Sequence, residues 1–170
     1  IEKYLSDGGK VYLILGDTTS DTPNLDEIMS DYGLKKVSGY IADTQRCYQG
    51  NYYAIFPQLS LSGDLGSGIS NQMVLLLNSP GMEKTDTDND NLTVTPFMQT
   101  SDSGYAVTEN DQTQGQYILG AVSTNAISSD SSDSDSEDED DESDATDTDT
   151  KTAKLTVLAS ASMISLDITD

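Results

Sequence analysis

The chain has 170 residues and a mass of 18.2 kDa, the size of one domain, and carries 30 acidic against 8 basic side chains for a formal charge of −22. Phosphate backbones and anionic membranes need clustered Lys and Arg, and nothing here exceeds the pair Lys35 and Lys36, so nucleic acid and a charged lipid surface are excluded as partners. There is no His, which removes imidazole-dependent nucleophiles and His-ligated zinc, and a single Cys47 forms no internal disulfide.

Residues 1–9 have the apolar spacing and Gly stop of the last turns of a helix, with Ile1 inside the pattern, as expected of a fragment of a longer membrane protein. No stretch approaches the roughly 18–20 apolar residues that span a bilayer, so any membrane segment is expected outside the fragment. Residues 10–16 are an uninterrupted apolar run, the pattern of a central parallel strand covered on both faces. A polar loop over residues 17–22 follows. Pro23 then opens a helix with Asp26 and Glu27 in its first turn. Leu25, Ile28, Met29 and Tyr32 share one face, and Gly33 ends it. With the next apolar run at 34–41, this spacing predicts a right-handed βαβ unit. Later strands are predicted at 52–56, 73–77, 92–97, 105–107, 117–122 and 155–159. The last is predicted to turn into a helix at a Ser cap near Ser160.

Two polar runs interrupt this order. Residues 84–91 (KTDTDNDN) read as an exposed acidic loop. Residues 128–150 hold 12 of the 30 acids and no apolar residue larger than Ala145, so they have no apolar surface to offset the entropy of ordering and read as a disordered Ser/Asp-rich insertion. Outside that tract 18 acids face 8 bases, a net charge of −10, ordinary for an acidic domain. The pattern as a whole predicts a single α/β domain over residues 1–170, with room for an antiparallel addition in its middle.

Several segments carry a resemblance. Tyr4, Leu5, Gly8 and Gly9 before the first strand, then Pro23, Asn24 and Leu25, then Tyr32 and Gly33, resemble the "YL-x-x-GG, strand, PNL, short helix, YG" order of the Gld-type family. These are gliding-motility-like auxiliary components of ABC-2 transport systems. Residues 95–105 (TPFMQTSDSGY), 115–122 (GQYILGAV) and 154–162 (KLTVLASAS) resemble three later segments of the same family. Gln116 stands where the family has Pro, Met98 where it has Leu, and Ala159 where it has Gly. The resemblance implies a three-layer flavodoxin-like or amidotransferase-like domain with a mainly parallel sheet, held on the extracytoplasmic side of the cell membrane. It implies permease and ATPase partners, a scaffold or coupling role through protein contacts, and neither catalysis nor a cofactor.

Four features invite a chemical reading. The loop of Asp17, Thr18, Thr19, Ser20, Asp21 and Thr22 follows a strand and opens a helix, where flavodoxin-like folds hold phosphate, and a cofactor- or ligand-binding domain using it is the alternative function. It lacks an internal Gly, and its two carboxylates repel anions, so a structural loop is favoured. Cys47 has Arg46 beside it but no imidazole to generate a thiolate, and reads as a partly buried side chain. Asp86, Asp88 and Asp90 match the first, third and fifth positions of a calcium loop, but Asn91 and Phe97 stand where Gly and Glu are required. Tyr40, Tyr48, Tyr52 and Tyr53 are concentrated enough to form a contact surface. No catalytic, cofactor or metal residue is singled out.

Overall fold

The protein's structure, a computed structural model, describes residues 1–16, 21–61, 73–127 and 151–164. In chain order the elements are α1 (Glu2–Ser6), β1 (Lys10–Ile14), α2 (Pro23–Asp31), β2 (Leu34–Val37), β3 (Tyr40–Asp43), β4 (Cys47–Tyr48), β5 (Asn51–Ile55), β6 (Gln58–Leu59), β7 (Leu76–Leu77), β8 (Gly81–Lys84), β9 (Leu92–Gln99), β10 (Gly104–Val107), β11 (Gln112–Gly115), β12 (Ile118–Ile127) and β13 (Lys151–Leu158). A single 3-10 turn, Ala161–Ile164, follows. Among the described residues, no helix is long and apolar enough to cross a membrane.

A seven-stranded sheet runs β1-β13-β12-β8-β2, with β9 also paired to β12 and β6 to β9. Two three-stranded sheets, β11-β10-β3 and β4-β5-β7, complete the strands. Helices α1 and α2 lie on one face of the large sheet. Leu5, Ile28, Met29 and Tyr32 pack there against Leu155, Val157 and Ala121, with Val11 and Leu13 joining from β1. The other face packs on the small sheets: Ile41, Ile55, Leu76 and Ala106 meet Leu119, Met98 and Leu158. The end of α2 is tied down by the Ser123 hydroxyl, which donates to the Tyr32 carbonyl at 2.6 Å.

This corrects the flavodoxin-like or amidotransferase-like expectation. Strands hold 49% of the described residues against 14% in helix, and every pairing is antiparallel except β1 with β13, so the sheet is not mainly parallel. The predicted βαβ unit does not form. The run 34–41 is split at Ser38 and Gly39 into β2 and β3, which enter different sheets. Following the pairings across the large sheet, β2 runs opposite to β1 and at the far edge, so α2 joins antiparallel strands and no crossover forms. Nor is β1 central. It is an edge strand with one face on the helix-side core and Tyr12 60% exposed on the other. The predicted helix after β13 is instead the 3-10 turn, where the Ser162 hydroxyl accepts from the Leu77 N–H at 3.2 Å.

One buried group contributes nothing visible. Ser79 is fully buried; its carbonyl accepts from the Ile41 N–H at 2.8 Å, but its hydroxyl has no partner among the described residues. Ser79→Ala removes an unsatisfied donor without disturbing that backbone bond, and is expected to be neutral or to stabilise by about 1 kcal/mol in urea unfolding.

Candidate functional site

The tyrosines of the predicted contact surface lie on and beside the β4-β5 hairpin. Tyr48 and Asn51 face each other across a two-residue turn whose residues Gln49 and Gly50 both have positive φ, 50° and 79°, the geometry that matches the twist of a tight hairpin. The turn projects the aromatic residues outward. Tyr48 is 45%, Tyr52 50% and Tyr53 36% exposed, while Tyr40 at the start of β3 is half-buried. Tyr48 meets Phe56 edge to face, with ring centroids 6.0 Å apart, and its hydroxyl accepts from Gln49 Nε2.

The four do not form one patch. Tyr40 and Tyr53 line a common groove of about 480 Å³ with Gly39, Asn78, Val107 and Glu109. Tyr40 and Asn78 also border a second depression that reaches Gly16 and Ser162. Tyr48 lines neither, but its edge-to-face partner Phe56 lines a separate hollow of about 430 Å³ with Cys47, Arg46 and Pro57. Tyr52 lines none of these three. The hairpin thus borders two concavities, one walled by Tyr40 and Tyr53 and the other by Phe56.

The hairpin is anchored from below by a group the sequence did not single out. Asp43, fully buried at the end of β3, accepts four hydrogen bonds. Its Oδ1 takes the Gln45 and Arg46 N–H groups at 2.9 Å each and the Ser101 hydroxyl at 2.8 Å; its Oδ2 takes the Ser101 N–H at 2.7 Å. Burial pushes this carboxyl up, but the bonds from Ser101, Arg46 and Gln45 outweigh it and hold Asp43 below the usual carboxylate range. Thr100, next in line, accepts the Tyr117 N–H on its hydroxyl at 2.9 Å, so the hairpin base, the 100–104 turn and the start of β12 are bonded in series. The arrangement positions; it exposes no reactive atom. A visible signal was the Asp-Thr-Gln-Arg stretch, an Asx turn in which the acid serves the N–H groups two and three residues on.

The remaining candidates are placed as follows. Cys47 is half-buried, and Arg46 beside it is held by carbonyls, its Nε donating to Phe56 at 2.7 Å. Asp86, Asp88 and Asp90 are exposed in the loop between β8 and β9. That loop is shaped by Asn89, which bonds Thr87, Asn91 and Asn125. Among the described residues no group of three His, Cys, Asp or Glu side chains could hold a metal. Of the loop over 17–22, residues 17–20 lie outside the described residues, as do 128–150. Its end is visible: Lys36 reaches the Thr22 hydroxyl at 2.6 Å and Asp26 at 2.7 Å across the first turn of α2.

No family model matches the chain, and no curated protein matches it. Among solved structures it is similar to the mmIFT52 N-terminal domain, with a TM-score of 0.54 and 13% identity over 98% of this chain. The chain spans 60% of the length of that structure. At this identity the likeness concerns the fold alone.

Proposed function

We propose that this is a non-catalytic, extracytoplasmic domain of an ABC-2 transporter auxiliary protein, acting as a scaffold through protein contacts made by the tyrosine-bearing β4-β5 hairpin. The observation that carries the contact reading is the pair of aromatic-walled concavities, with Tyr48, Tyr52 and Tyr53 substantially exposed on a rigidly anchored turn. Exposed aromatic residues on an ordered support lose little conformational entropy on binding, which is why they anchor interfaces. The transport assignment rests on the sequence resemblance.

The test is co-purification of the whole protein from solubilised membranes. The permease and ATPase subunits of an ABC-2 system are expected to accompany it. Tyr53→Ala with Tyr48→Ala is expected to lower their recovery by about tenfold or more, equivalent to one lost hot spot, with thermal unfolding unchanged. Recovery of neither subunit, or recovery indifferent to both tyrosines, would overturn the proposal.

A further inference from the structure

The free side of β1 has a different chemistry from the tyrosine hairpin. The Lys154 N–H donates to the Gly9 carbonyl and the Leu15 N–H to the Leu158 carbonyl, at 3.1 and 2.8 Å. In a parallel ladder bonded residues alternate, so 9, 11, 13 and 15 face β13, and the N–H and C=O groups of Lys10, Tyr12 and Ile14 point the other way. Among the described residues β1 pairs with β13 alone. These three donors and three acceptors stand in a row on a strand edge with no ladder partner among the described residues.

Side chains on the same residues complete the picture. Val11 and Leu13 enter the helix-side core, so Lys10, Tyr12 and Ile14 lie on the opposite face. There Tyr12 stands in register with Thr156, and Thr156 with Val122. These three, with Phe97, Leu158 and Met163, border an apolar groove of about 280 Å³. Level with the lower end of the groove, Lys10 is in register with Lys154, both exposed. Lys10 and Lys154 therefore stand side by side on the groove face, and neither has a carboxylate partner among the described residues, where the ion pair is Lys36 with Asp26.

We propose that the free edge of β1 is a strand-addition site for an extended segment of a partner protein, one that sets an acidic residue level with Lys10 and apolar residues level with Tyr12 and Ile14. Main-chain bonds to Lys10, Tyr12 and Ile14 hold such a strand, the groove receives its apolar side chains, and the lysines fix its register. Charge complementarity selects this occupant over a second copy. Antiparallel self-pairing of β1 sets Lys10 against Ile14 with no acid in reach, and two chains of −22 repel. The proposal shares the protein-contact reading of the domain but uses another surface.

The test adds two synthetic peptides, acetyl-Glu-Thr-Val-Thr-Ile-Thr-amide and its reverse acetyl-Thr-Ile-Thr-Val-Thr-Glu-amide, to the full 15N-labelled chain, with amide exchange read residue by residue. With one of them, the amides of Lys10, Tyr12 and Ile14 are expected to gain about tenfold protection, while Val11 and Leu13, already in the ladder, change little. Lys10→Glu is expected to weaken that peptide about fivefold, and a peptide with Lys in place of Glu to recover the loss. Tyr12→Pro removes an outward N–H and no ladder donor, so it is expected to abolish binding. The charge swap keeps the proposal testable if that variant does not fold. Protection of the three amides in the free monomer, a dimer in sedimentation, or no response at millimolar peptide would each overturn it. Tyr48→Ala with Tyr53→Ala leaves peptide binding unchanged, so loss of permease contact with intact peptide binding counts against the hairpin reading alone.

Discussion

Asp43→Ala is expected to lower the unfolding free energy by about 3 kcal/mol, and to loosen the β4-β5 hairpin before the rest of the domain. The carboxylate is fully buried and gathers the Gln45, Arg46 and Ser101 N–H groups and the Ser101 hydroxyl. Truncation strands those donors out of reach of water, and each stranded donor costs about 1–3 kcal/mol before relaxation. Asp43→Asn keeps one acceptor but turns an amide donor toward a backbone donor, and is expected to recover less than half of the loss. The pH dependence has a definite sign. Because the folded carboxyl sits below its unfolded value of about 3.9, its stabilisation is complete above that value and is lost as pH falls through the folded pKa. The stability gap between wild type and Asp43→Asn in urea unfolding should therefore be full at neutral pH and shrink progressively below about pH 4.

Gly39→Ala is expected to cost a similar amount, about 3 kcal/mol or more, for a different reason. Gly39 joins β2 to β3 with φ of 84°, and a Cβ there would run into the Val107 carbonyl at backbone distance. Backbone cannot step aside as a side chain can, so either β3 or β10 must shift, and their register from Tyr40 with Val107 to Asp43 with Gly104 is lost. Gly50→Ala is the internal control. Its φ is 79°, yet nothing lies within 4 Å of the added carbon, so only the left-handed strain of about 1 kcal/mol remains. Equal losses in thermal unfolding for the two variants would show that the contact with Val107 contributes nothing.

What the sequence made legible was local. The apolar run 10–16 is β1, the Pro23 start and Gly33 stop bound α2, and most later apolar runs contain strands. What stayed illegible was pairing. Nothing in residues 10–16 says that their partner is residue 151 onward, more than a hundred positions away, or that a strand apolar on both faces would lie at an edge. The run 34–41 hid its break because Ser38 and Gly39 are the only turn signal inside it, and nothing in it tells that β2, ahead of the break, runs opposite to β1. Tyr40 and Tyr53 share a groove because β3 and β5 are neighbours in space, which no spacing along the chain encodes. Asp43 was hard to single out for another reason: the stretch 43–46 signals an Asx turn, but among thirty acids only burial marks this one as the anchor.

Site-specific photocrosslinking in the full-length protein tests the contact reading most directly. A benzoylphenylalanine in place of Tyr53, compared with one in place of Tyr105 on β10, is irradiated in cells, and the linked peptides are identified by mass spectrometry. Position 53 is expected to capture a permease subunit of an ABC-2 system, and position 105 is not. Capture of the same proteins at both positions, or of no transport subunit at position 53, would contradict it.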